Sequence, residues 1–302
     1  YYNRKASDML LDRPVSATTG FTKNLVNIGE LRNQGVEFLV NAAILDNENF
    51  IWNAGFNIAY NKSEVLNLGG DSEMGYIAPG GTTQSSYIKH RVGEQMFSYY
   101  LRDWAGVDPQ NGNPLWYDKN GNLVNDGANA RWIYKGSPEP KVTGGFNTDI
   151  SWKGLSLSVF MEYKLGADIM VLNEGSYLIS DGQQMSNNLL KDQLNYWKNP
   201  GDNVPNPKPM AGRSDNSYTG ISTRWLRSGD FLRIKDITLG YTLPNKLVEK
   251  IRLSNLRVYL TASNLYTFHD SFFFDPERGV TGAGAGIYPL QKTFVGGIEI
   301  SF

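Results

Sequence analysis

Hydrophobic and polar positions alternate with a period of two over the last ten residues of the chain. One face carries Phe294, Gly296, Ile298, Ile300 and Phe302, and the other carries Thr293, Gly297, Glu299 and Ser301. Because successive side chains of a strand point to opposite faces, this segment has one face suited to hydrocarbon and one suited to water. The pattern is typical of the closing strand of an outer-membrane β-barrel, which ends on an aromatic residue.

The same alternation recurs along the rest of the chain and predicts further strands. The segments are 36–45, 50–64, 141–152, 155–167, 230–243 and 254–268, and residues 1–10 complete the set. Near Lys235 and Asp236 the phase slips by one, because Leu232 and Ile234 are followed by Ile237. A β-bulge or the membrane boundary explains such a slip.

The composition of the polar faces separates a membrane barrel from a soluble β-sandwich. These faces carry Asn, Ser, Gly and isolated charges, whereas a soluble sandwich usually carries Lys, Glu and Thr. Several segments have the roughly 9 to 11 residues that a tilted strand needs to cross a bilayer. No run approaches the roughly 18 apolar residues of a membrane helix. The pattern therefore predicts an all-β fold, an antiparallel transmembrane barrel.

Composition agrees with this prediction and excludes other classes. Aromatic residues make up 13% of the chain, and several fall at strand ends, where interfacial girdles form: Trp52, Tyr60, Trp152, Tyr163, Tyr266 and Phe268. The net charge of −1 gives no electrostatic footprint for nucleic acid. The absence of cysteine excludes disulfides and thiolate metal sites.

Strand directions follow from the connections between the segments. Bacterial barrels place short turns and the C-terminus in the periplasm and long loops outside the cell. The turns at 46–49 and 151–154 are then periplasmic, and the long segments 65–140 and 168–228 are extracellular. This arrangement gives eight crossings. Because loops of this size do not suit so small a barrel, the segments are expected to form part of a larger one.

Short sequence motifs along the whole chain carry a family resemblance. They are Thr18 to Phe21, Asn27 to Glu37, Trp52 to Lys62, Val92 to Glu94, Gly106 to Pro109, Gly136 to Lys141, Gly144 and Gly145, Leu232 to Tyr241, Ser263 to Leu265, Asp275 to Glu277, and Tyr288 to Leu290. In this order and spacing the chain resembles the C-terminal third of a SusC-type (SusC/RagA-like) TonB-dependent outer-membrane transporter.

The resemblance implies a twenty-two-stranded barrel with a plugged lumen, covered outside by a SusD-like lipoprotein and driven by the TonB complex. Residues 1–302 are expected to be the C-terminal barrel segment, without the plug domain and the N-terminal strands. An open eight-stranded sheet in lipid would leave unpaired backbone groups, which cost several kcal/mol each. The remaining N-terminal part of the same transporter is therefore an expected partner, together with outer-membrane lipid.

Two groups of loop residues are candidates for contact with a ligand or with the lid. One consists of Phe272, Phe273 and Phe274, followed by Asp275 and Glu277, which could also hold an ion or the loop's own turn. The other consists of aromatic residues of segment 65–140: Trp104, Trp116 and Trp132, with Tyr117 and Tyr134. Exposed rings stack on sugars or dock partners, but in both groups the rings could instead pack against neighbouring loops.

Other motifs favour ordinary structural roles. His90 and His269 are the only histidines and lie in no Ser or Asp arrangement that marks a catalytic triad, so no catalytic residue is predicted. Residues 118–122 invite a calcium interpretation, but their spacing does not match an EF-hand loop and favours a tight turn. The glycine-rich run 279–286 indicates an external loop, and 183–198 has the spacing of a short surface helix. No cofactor or metal is predicted.

The leading hypothesis is a non-enzymatic role in nutrient import. The chain would form the C-terminal barrel portion of an active outer-membrane importer of oligosaccharides or peptides. The alternative is a self-contained eight-stranded barrel with a structural or adhesive role. An outer-membrane hydrolase is a third possibility and would need a nucleophile, a base and an acid converging in one site.

Overall fold

The computed structural model describes residues 1–77, 84–171, 179, 181–182, 188–211, 221–270, 275–277 and 290–302. Its strands are β1 (Tyr2–Pro14), β2 (Lys23–Asn47), β3 (Phe50–Leu68), β4 (Glu73–Ile77), β5 (Gln84–Arg91), β6 (Ser98–Arg102), β7 (Trp104–Val107), β8 (Pro114–Tyr117), β9 (Leu123–Val124), β10 (Trp132–Tyr134), β11 (Val142–Trp152), β12 (Leu155–Leu165), β13 (Asp168–Met170), β14 (Leu226–Ser228), β15 (Phe231–Thr242), β16 (Asn255–His269) and β17 (Thr293–Ser301).

Helical structure is confined to short turns. The helix α1 covers Asn245–Val248, and 3-10 turns cover Ala17–Thr19, Gly127–Asn129, Lys191–Leu194, Thr223–Trp225 and Glu249–Ile251. Over the described residues, no helix has the length and apolarity needed to cross a membrane. The helix predicted for 183–198 is not found in its described part, where residues 188–198 contain only the turn Lys191–Leu194. Asn199 and Pro200 follow this turn.

Eight long strands form one antiparallel sheet in the order β1-β2-β3-β11-β12-β15-β16-β17. They correspond to the eight segments that the alternation predicted, and the segments 65–140 and 168–228 add no further strand to this sheet within the described residues. β1 and β17 lie at opposite edges, and in the described part of the chain each pairs with a single neighbour. The sheet is therefore an open portion of a barrel.

Tight turns connect the strands at one end of the sheet, which we call the turn end. Lys153 and Gly154 have φ of 48° and 91°, which is the positive-φ pair of a two-residue hairpin. A Cβ on Gly154 would lie 2.6 Å from the carbonyl oxygen of Thr242, so glycine also relieves a clash there. Asn47 caps the β2–β3 turn by accepting a hydrogen bond from the backbone N–H of Phe50 at 2.9 Å. β17 also finishes at the turn end, where Ser301 pairs with Asn255.

The predicted phase slip on β15 is a β-bulge at Lys235. On β12, Phe160 pairs with Asp236 and Met161 pairs with Ile234, so Lys235 has no opposite residue. The register against β16 shifts at the same place. As a result, the side chains of Lys235 and Asp236 both lie on the polar face, where Lys235 binds Glu162.

Large apolar side chains of the sheet remain exposed on its outer face. Leu260 is 53% exposed and Ile298 is 65% exposed, and Leu239, Val258 and Phe294 are also open. Such a continuous apolar surface is characteristic of strands that face lipid. β2 and β3 contain 25 and 19 residues, far more than a bilayer crossing needs, so this hairpin extends beyond the predicted segments 36–45 and 50–64.

Short strands and turns at the other end of the sheet form a loop layer. We use this name for the described residues within 69–141 and 166–230. It contains a four-stranded sheet in the order β10-β6-β5-β4, a three-stranded sheet β7-β8-β9 and the pair β13-β14. Its hydrophobic core combines both segments of the layer: Ile88, Tyr99, Leu101, Ile169, Met170, Val171, Ile179 and Trp225.

Candidate ligand and partner contact sites

The aromatic residues proposed for ligand or lid contact occupy different environments in the loop layer. Trp132 is exposed on β10, and Trp104 is half-buried on β7. Trp116 is fully buried beneath Trp104, with the two ring centroids 4.8 Å apart in an edge-on arrangement. Phe272, Phe273 and Phe274 lie outside the described residues. Trp104 and Trp132 therefore remain candidates for direct contact, whereas Trp116 supports the position of Trp104.

A cavity of about 450 Å³ opens beside Trp104 and is also lined by Asn206, Thr223, Arg224, Trp225 and Arg227. The Arg224 guanidinium lies 4.9 Å from the ring centroid of Trp104 and 4.6 Å from that of Trp225. It donates to the buried carboxylate of Asp181 at 2.7 Å and to Asn206 at 3.1 Å. The Thr223 hydroxyl accepts from the backbone N–H of Trp104 at 3.1 Å. These contacts hold Trp104 at the cavity wall.

Asp275 and Glu277 are bound to the polar face of the large sheet through Arg233. This arginine is only 1% exposed, and its two terminal nitrogens donate to Asp275 at 2.5 Å and to Glu277 at 2.8 Å. Its Nε donates to Thr267 at 2.9 Å. Lys164 adds a bond to Glu277 at 3.0 Å. We call Arg233, Asp275 and Glu277 the loop staple, since they fasten residues 275–277, which lie between β16 and β17 in the sequence, to the sheet.

Burial raises the pKa of Asp275, but the backbone N–H of Glu277 and the Arg233 guanidinium more than offset this effect, so the pKa lies below its ordinary value. The pKa of Glu277 is lowered in the same way: burial raises it, but a hydrogen bond from Lys164 and nearby positive charges reverse the change. Both groups are therefore carboxylates at neutral pH, engaged by cations of the sheet. Their contact with a ligand stays a prediction.

A row of aromatic and cationic side chains covers one face of the four-stranded sheet. Trp132 pairs with Arg102, Tyr134 pairs with Tyr100, and Lys89 and Arg91 of β5 lie on the same face. Tyr100 lies 5.3 Å from Trp132 and 4.8 Å from Tyr134, measured between ring centroids. We call this surface the basic aromatic face, formed by Lys89, Arg91, Tyr100, Arg102, Trp132 and Tyr134.

Of this face, the sequence pattern predicts only Trp132 and Tyr134 as candidate contact residues. The other four residues of the face also occupy alternate positions: Lys89 and Arg91 on β5, and Tyr100 and Arg102 on β6. However, these strands have eight and five residues and lie between loops, so their period of two covers few positions. Because side chains alternate along a strand, the bounds of β5, β6 and β10 are enough to place all six residues on one face.

The two histidines lie apart and in different surroundings. His90 is 5% exposed, lies beside Tyr76 and Phe97, and accepts a hydrogen bond from the backbone N–H of Phe97 at 3.4 Å. Burial lowers the pKa of His90 to about 4, so this side chain is neutral at physiological pH. His269 pairs with Phe231 at the end of the large sheet. Among the described residues, no cluster of His, Asp and Glu has the geometry of a metal site.

Residues 118–122 form a tight turn. The Asp118 carboxylate accepts hydrogen bonds from the backbone N–H groups of Asn120 and Asn122, both at 2.8 Å. These bonds lower the pKa of Asp118, with Asn122 making the largest contribution. An Asp that bonds to the backbone two residues ahead is the usual start of such a turn.

The predicted closing strand is β17. Phe294, Ile298 and Ile300 are all at least half exposed on it, and Phe302 follows at 95% exposure. On the opposite face, Gly297 lies under the ring of Tyr259, and a Cβ there would approach the ring to 2.4 Å. The apolar face is therefore free for lipid, while a tyrosine covers the glycine on the polar face.

The fold and these surfaces define a class: an open portion of an antiparallel transmembrane β-barrel with a large, folded loop layer. A scan against protein-family models finds no match. The whole chain is 30% identical to TonB-dependent receptor P3 of Formosa agariphila, covering 32% of that protein. It is 29% identical to TonB-dependent receptor SusC of Bacteroides thetaiotaomicron, covering 29% of it.

Solved structures give the same result. The structure of the RagAB peptide transporter matches 99% of the chain with a TM-score of 0.84 and 33% identity, and the chain covers 32% of that protein. The resemblance to SusC-type TonB-dependent outer-membrane transporters is therefore confirmed, and the chain corresponds to a segment of such a protein. It spans about a third of the length of the relatives it matches.

Proposed function

We propose that the chain forms barrel wall and surface loops of an outer-membrane, TonB-dependent importer of oligosaccharides or peptides. One observation carries the proposal. This chain forms an open eight-stranded sheet with an apolar outer face, and nearly the whole chain matches about a third of the RagAB peptide transporter. The open edges at β1 and β17 need partner strands, because unpaired backbone groups are costly in lipid. The remaining N-terminal part of the same transporter would supply them, together with the plug.

We propose that the loop layer is extracellular and that the turn end, with the C-terminus, is periplasmic. The short connections at Asn47–Phe50 and Trp152–Leu155 and the end of β17 share the turn end, and the long connections share the other. This distribution is the one that bacterial barrels adopt. The loop layer then lies where a SusD-like lipoprotein would cover the barrel, and TonB would act on the plug from the periplasm.

In this proposal the chain performs no covalent chemistry. Trp104 packs on Trp116 and accepts the Arg224 guanidinium over its ring, Trp132 stacks beside Tyr100, and the loop staple holds residues 275–277 against the sheet. Phe272, Phe273 and Phe274 directly precede residues 275–277 in the sequence. Ligand or lid contact would use these loop aromatics, and energy would enter through the plug.

The first test is the intact mass of the native protein from outer membranes, with peptide mapping across Tyr1. A polypeptide about three times as long as this chain, read continuously through Tyr1, is the expected result. A native protein of 33.8 kDa would instead support the self-contained small barrel. That second arrangement would also require β1 and β17 to pair, which they do not do in the described part of the chain.

The second test is uptake of labelled oligosaccharides and peptides by cells that carry the receptor. Accumulation is expected to stop when the receptor gene is deleted and when TonB is deleted. A variant lacking only β17 should fail to assemble in the outer membrane. Uptake that continues without TonB would contradict the importer proposal.

A further inference from the structure

The basic aromatic face is rigid because its other side is a hydrophobic core. Ile88, Tyr99 and Leu101 alternate with the residues of the basic aromatic face on β5 and β6 and are at most 1% exposed. The backbone of β5 and β6 is therefore anchored, and the side chains on the outer side start from fixed positions. A rigid scaffold reduces the entropy that a binding partner must overcome.

The aromatic rings also order the cations. The Lys89 ammonium lies 3.9 Å from the ring centroid of Tyr100, Arg91 lies 4.7 Å from that of Tyr134, and Arg102 lies 5.3 Å from that of Trp132. Cation–π contacts of this kind hold long side chains in one orientation. Three positive groups are thus arranged in a row before any partner binds.

The charge of this face is not balanced by its own residues. Glu73 is the nearby carboxylate, and it pairs with Lys89 at 2.5 Å and accepts a hydrogen bond from Tyr134. The hydrogen bond from Lys89 is the largest cause of the lowered pKa of Glu73, which is therefore fully ionised. Arg91 and Arg102 make no ion pair with any residue that the structure describes. Glu73 lies opposite Arg91 in the β4–β5 register and its negative charge acts on Arg91 as well as on Lys89. One carboxylate therefore faces three cations, and the excess positive charge on Arg91 and Arg102 remains to meet an external anion.

The chemistry of the face selects the kind of anion. A guanidinium group presents a planar set of donors that matches a carboxylate or a sulfate. Trp132 is 37% exposed and stacks beside Tyr100 with an interplanar angle of 23°, so it offers an apolar surface next to the charges. Sugar rings present a matching apolar face and carry their acidic groups at the edge, whereas a neutral ligand would leave both guanidinium groups unpaired.

We propose that the basic aromatic face binds an anionic oligosaccharide, either carboxylated or sulfated, at the surface of the receptor. This inference rests on the proposed import function and specifies its substrate class. The acidic groups pair with Arg91 and Arg102, and a sugar ring stacks on Trp132. Lys89 remains with Glu73 and contributes positive potential.

The test is calorimetric titration of the complete receptor with an oligogalacturonate hexamer, a sulfated oligosaccharide and a neutral glucose hexamer. The acidic hexamer or the sulfated ligand is expected to bind at least about tenfold more tightly than the neutral one at low salt. The double variant Arg91→Gln/Arg102→Gln should weaken acidic binding by about tenfold or more and leave neutral binding unchanged. The matched control Lys119→Gln/Lys191→Gln removes two exposed charges elsewhere in the loop layer and should change little.

A variant of the stacking ring and an uptake assay complete the test. Trp132→Leu should weaken binding of the acidic sugars but not binding of an acidic peptide of equal charge, because only the sugar stacks on the ring. The proposal is overturned if neutral and acidic ligands bind alike, if Arg91→Gln/Arg102→Gln keeps the preference, or if the acidic peptide or a single-stranded oligonucleotide binds as tightly as the sugars. An uptake assay separates this failure from that of the import function. TonB-dependent uptake of a neutral or peptide ligand, without acidic binding, refutes this inference alone.

Discussion

The large sheet and the loop layer use the same residue types in opposite ways. On the sheet, Leu260 and Phe294 are 53% and 64% exposed, whereas in the loop layer Leu101 and Trp116 are fully buried. The sheet would be an aggregation-prone surface in water, but it suits a lipid solvent. The loop layer instead has a conventional hydrophobic core. One chain therefore contains two regions adapted to two solvents.

The difference extends to what stabilises each region. In lipid, backbone hydrogen bonds between strands must satisfy every polar group, because no water is available to do so. In water, the loop layer is stabilised mainly by burial of apolar surface, supplemented by paired charges such as Arg224 with Asp181. A substitution is therefore expected to have different consequences in the two regions.

The largest effect is expected at the buried ion pair of the loop layer. Arg224→Gln removes the guanidinium from the Asp181 carboxylate, whose side chain is fully buried, and takes a cation from between Trp104 and Trp225. Breaking a buried pair in this way costs about 3–5 kcal/mol. We expect the loop layer to unfold at lower denaturant concentration while the barrel stays folded, which intrinsic tryptophan fluorescence and limited proteolysis can measure.

A double-mutant cycle separates the charge from the packing. Asp181→Asn in the Arg224→Gln background should restore part of the lost stability, because the buried negative charge is removed together with the guanidinium that paired with it. Equal losses in the single and double variants would show that packing against the two tryptophans, rather than charge pairing, holds this part of the layer together.

The second effect tests the lipid-facing side of the sheet against its polar side. Val159 and Ser158 are neighbours on β12 and point to opposite faces, where they pair with Ile237 and Thr238. An arginine in the lipid-facing position near the bilayer midplane costs about 2–4 kcal/mol. Val159→Arg should therefore lower the stability of the receptor in lipid vesicles, and Ser158→Arg should change it much less. Equal effects of the two substitutions would contradict the assignment of the faces.

The third effect concerns His90 in the loop layer. Burial lowers the pKa of His90 to about 4, below the ordinary value of about 6.5. The free energy of unfolding of the loop layer therefore keeps its full value above pH about 6.5 and falls between pH about 6.5 and 4, because only the unfolded state binds the proton in that range. The full decrease is about 3 kcal/mol. Denaturant unfolding of the layer should show this loss, and His90→Phe should flatten it. A His90→Phe variant with an unchanged pH profile would exclude His90 as the cause.

The sheet could be predicted from sequence and the loop layer could not. Each long strand repeats its alternation over about ten positions, and Lys235 reveals its bulge by a phase slip between Ile234 and Ile237. The loop layer is built from strands of two to eight residues, too short for a clear period. Its core joins Tyr99 to Ile169 and Trp225, which are far apart in the sequence. Only tertiary contact brings these residues together.

The candidate sites show the same limit. Asp275 and Glu277 were recognisable as charged loop residues, but their partner Arg233 lies in a strand whose pattern gives no reason to expect burial. Trp116 looked like Trp104 and Trp132 in sequence, yet it is fully buried. Residue type therefore identified candidates, while burial and pairing depended on which loops pack over which strands.

The smallest effect is expected at the loop staple, where the two regions meet. The pKa values of Asp275 and Glu277 lie below their ordinary values, so their pairing with Arg233 persists above pH about 4 and is lost as the pH falls through the lowered values. A nitroxide label on Leu290→Cys reports this locally, because the backbone N–H of Leu290 donates to Asp275 at 3.4 Å.

The label's spectrum should stay constant from pH 8 to 5 and sharpen below pH about 4, when protonated carboxyls release the connection. Arg233→Gln should give the sharp spectrum already at neutral pH, whereas Asp275→Asn/Glu277→Gln should abolish the pH dependence. A broad spectrum in Arg233→Gln at pH 7 would mean that other contacts fasten this loop. In that case the junction between the sheet and its loops would depend on packing, as the interior of the loop layer does, rather than on charge.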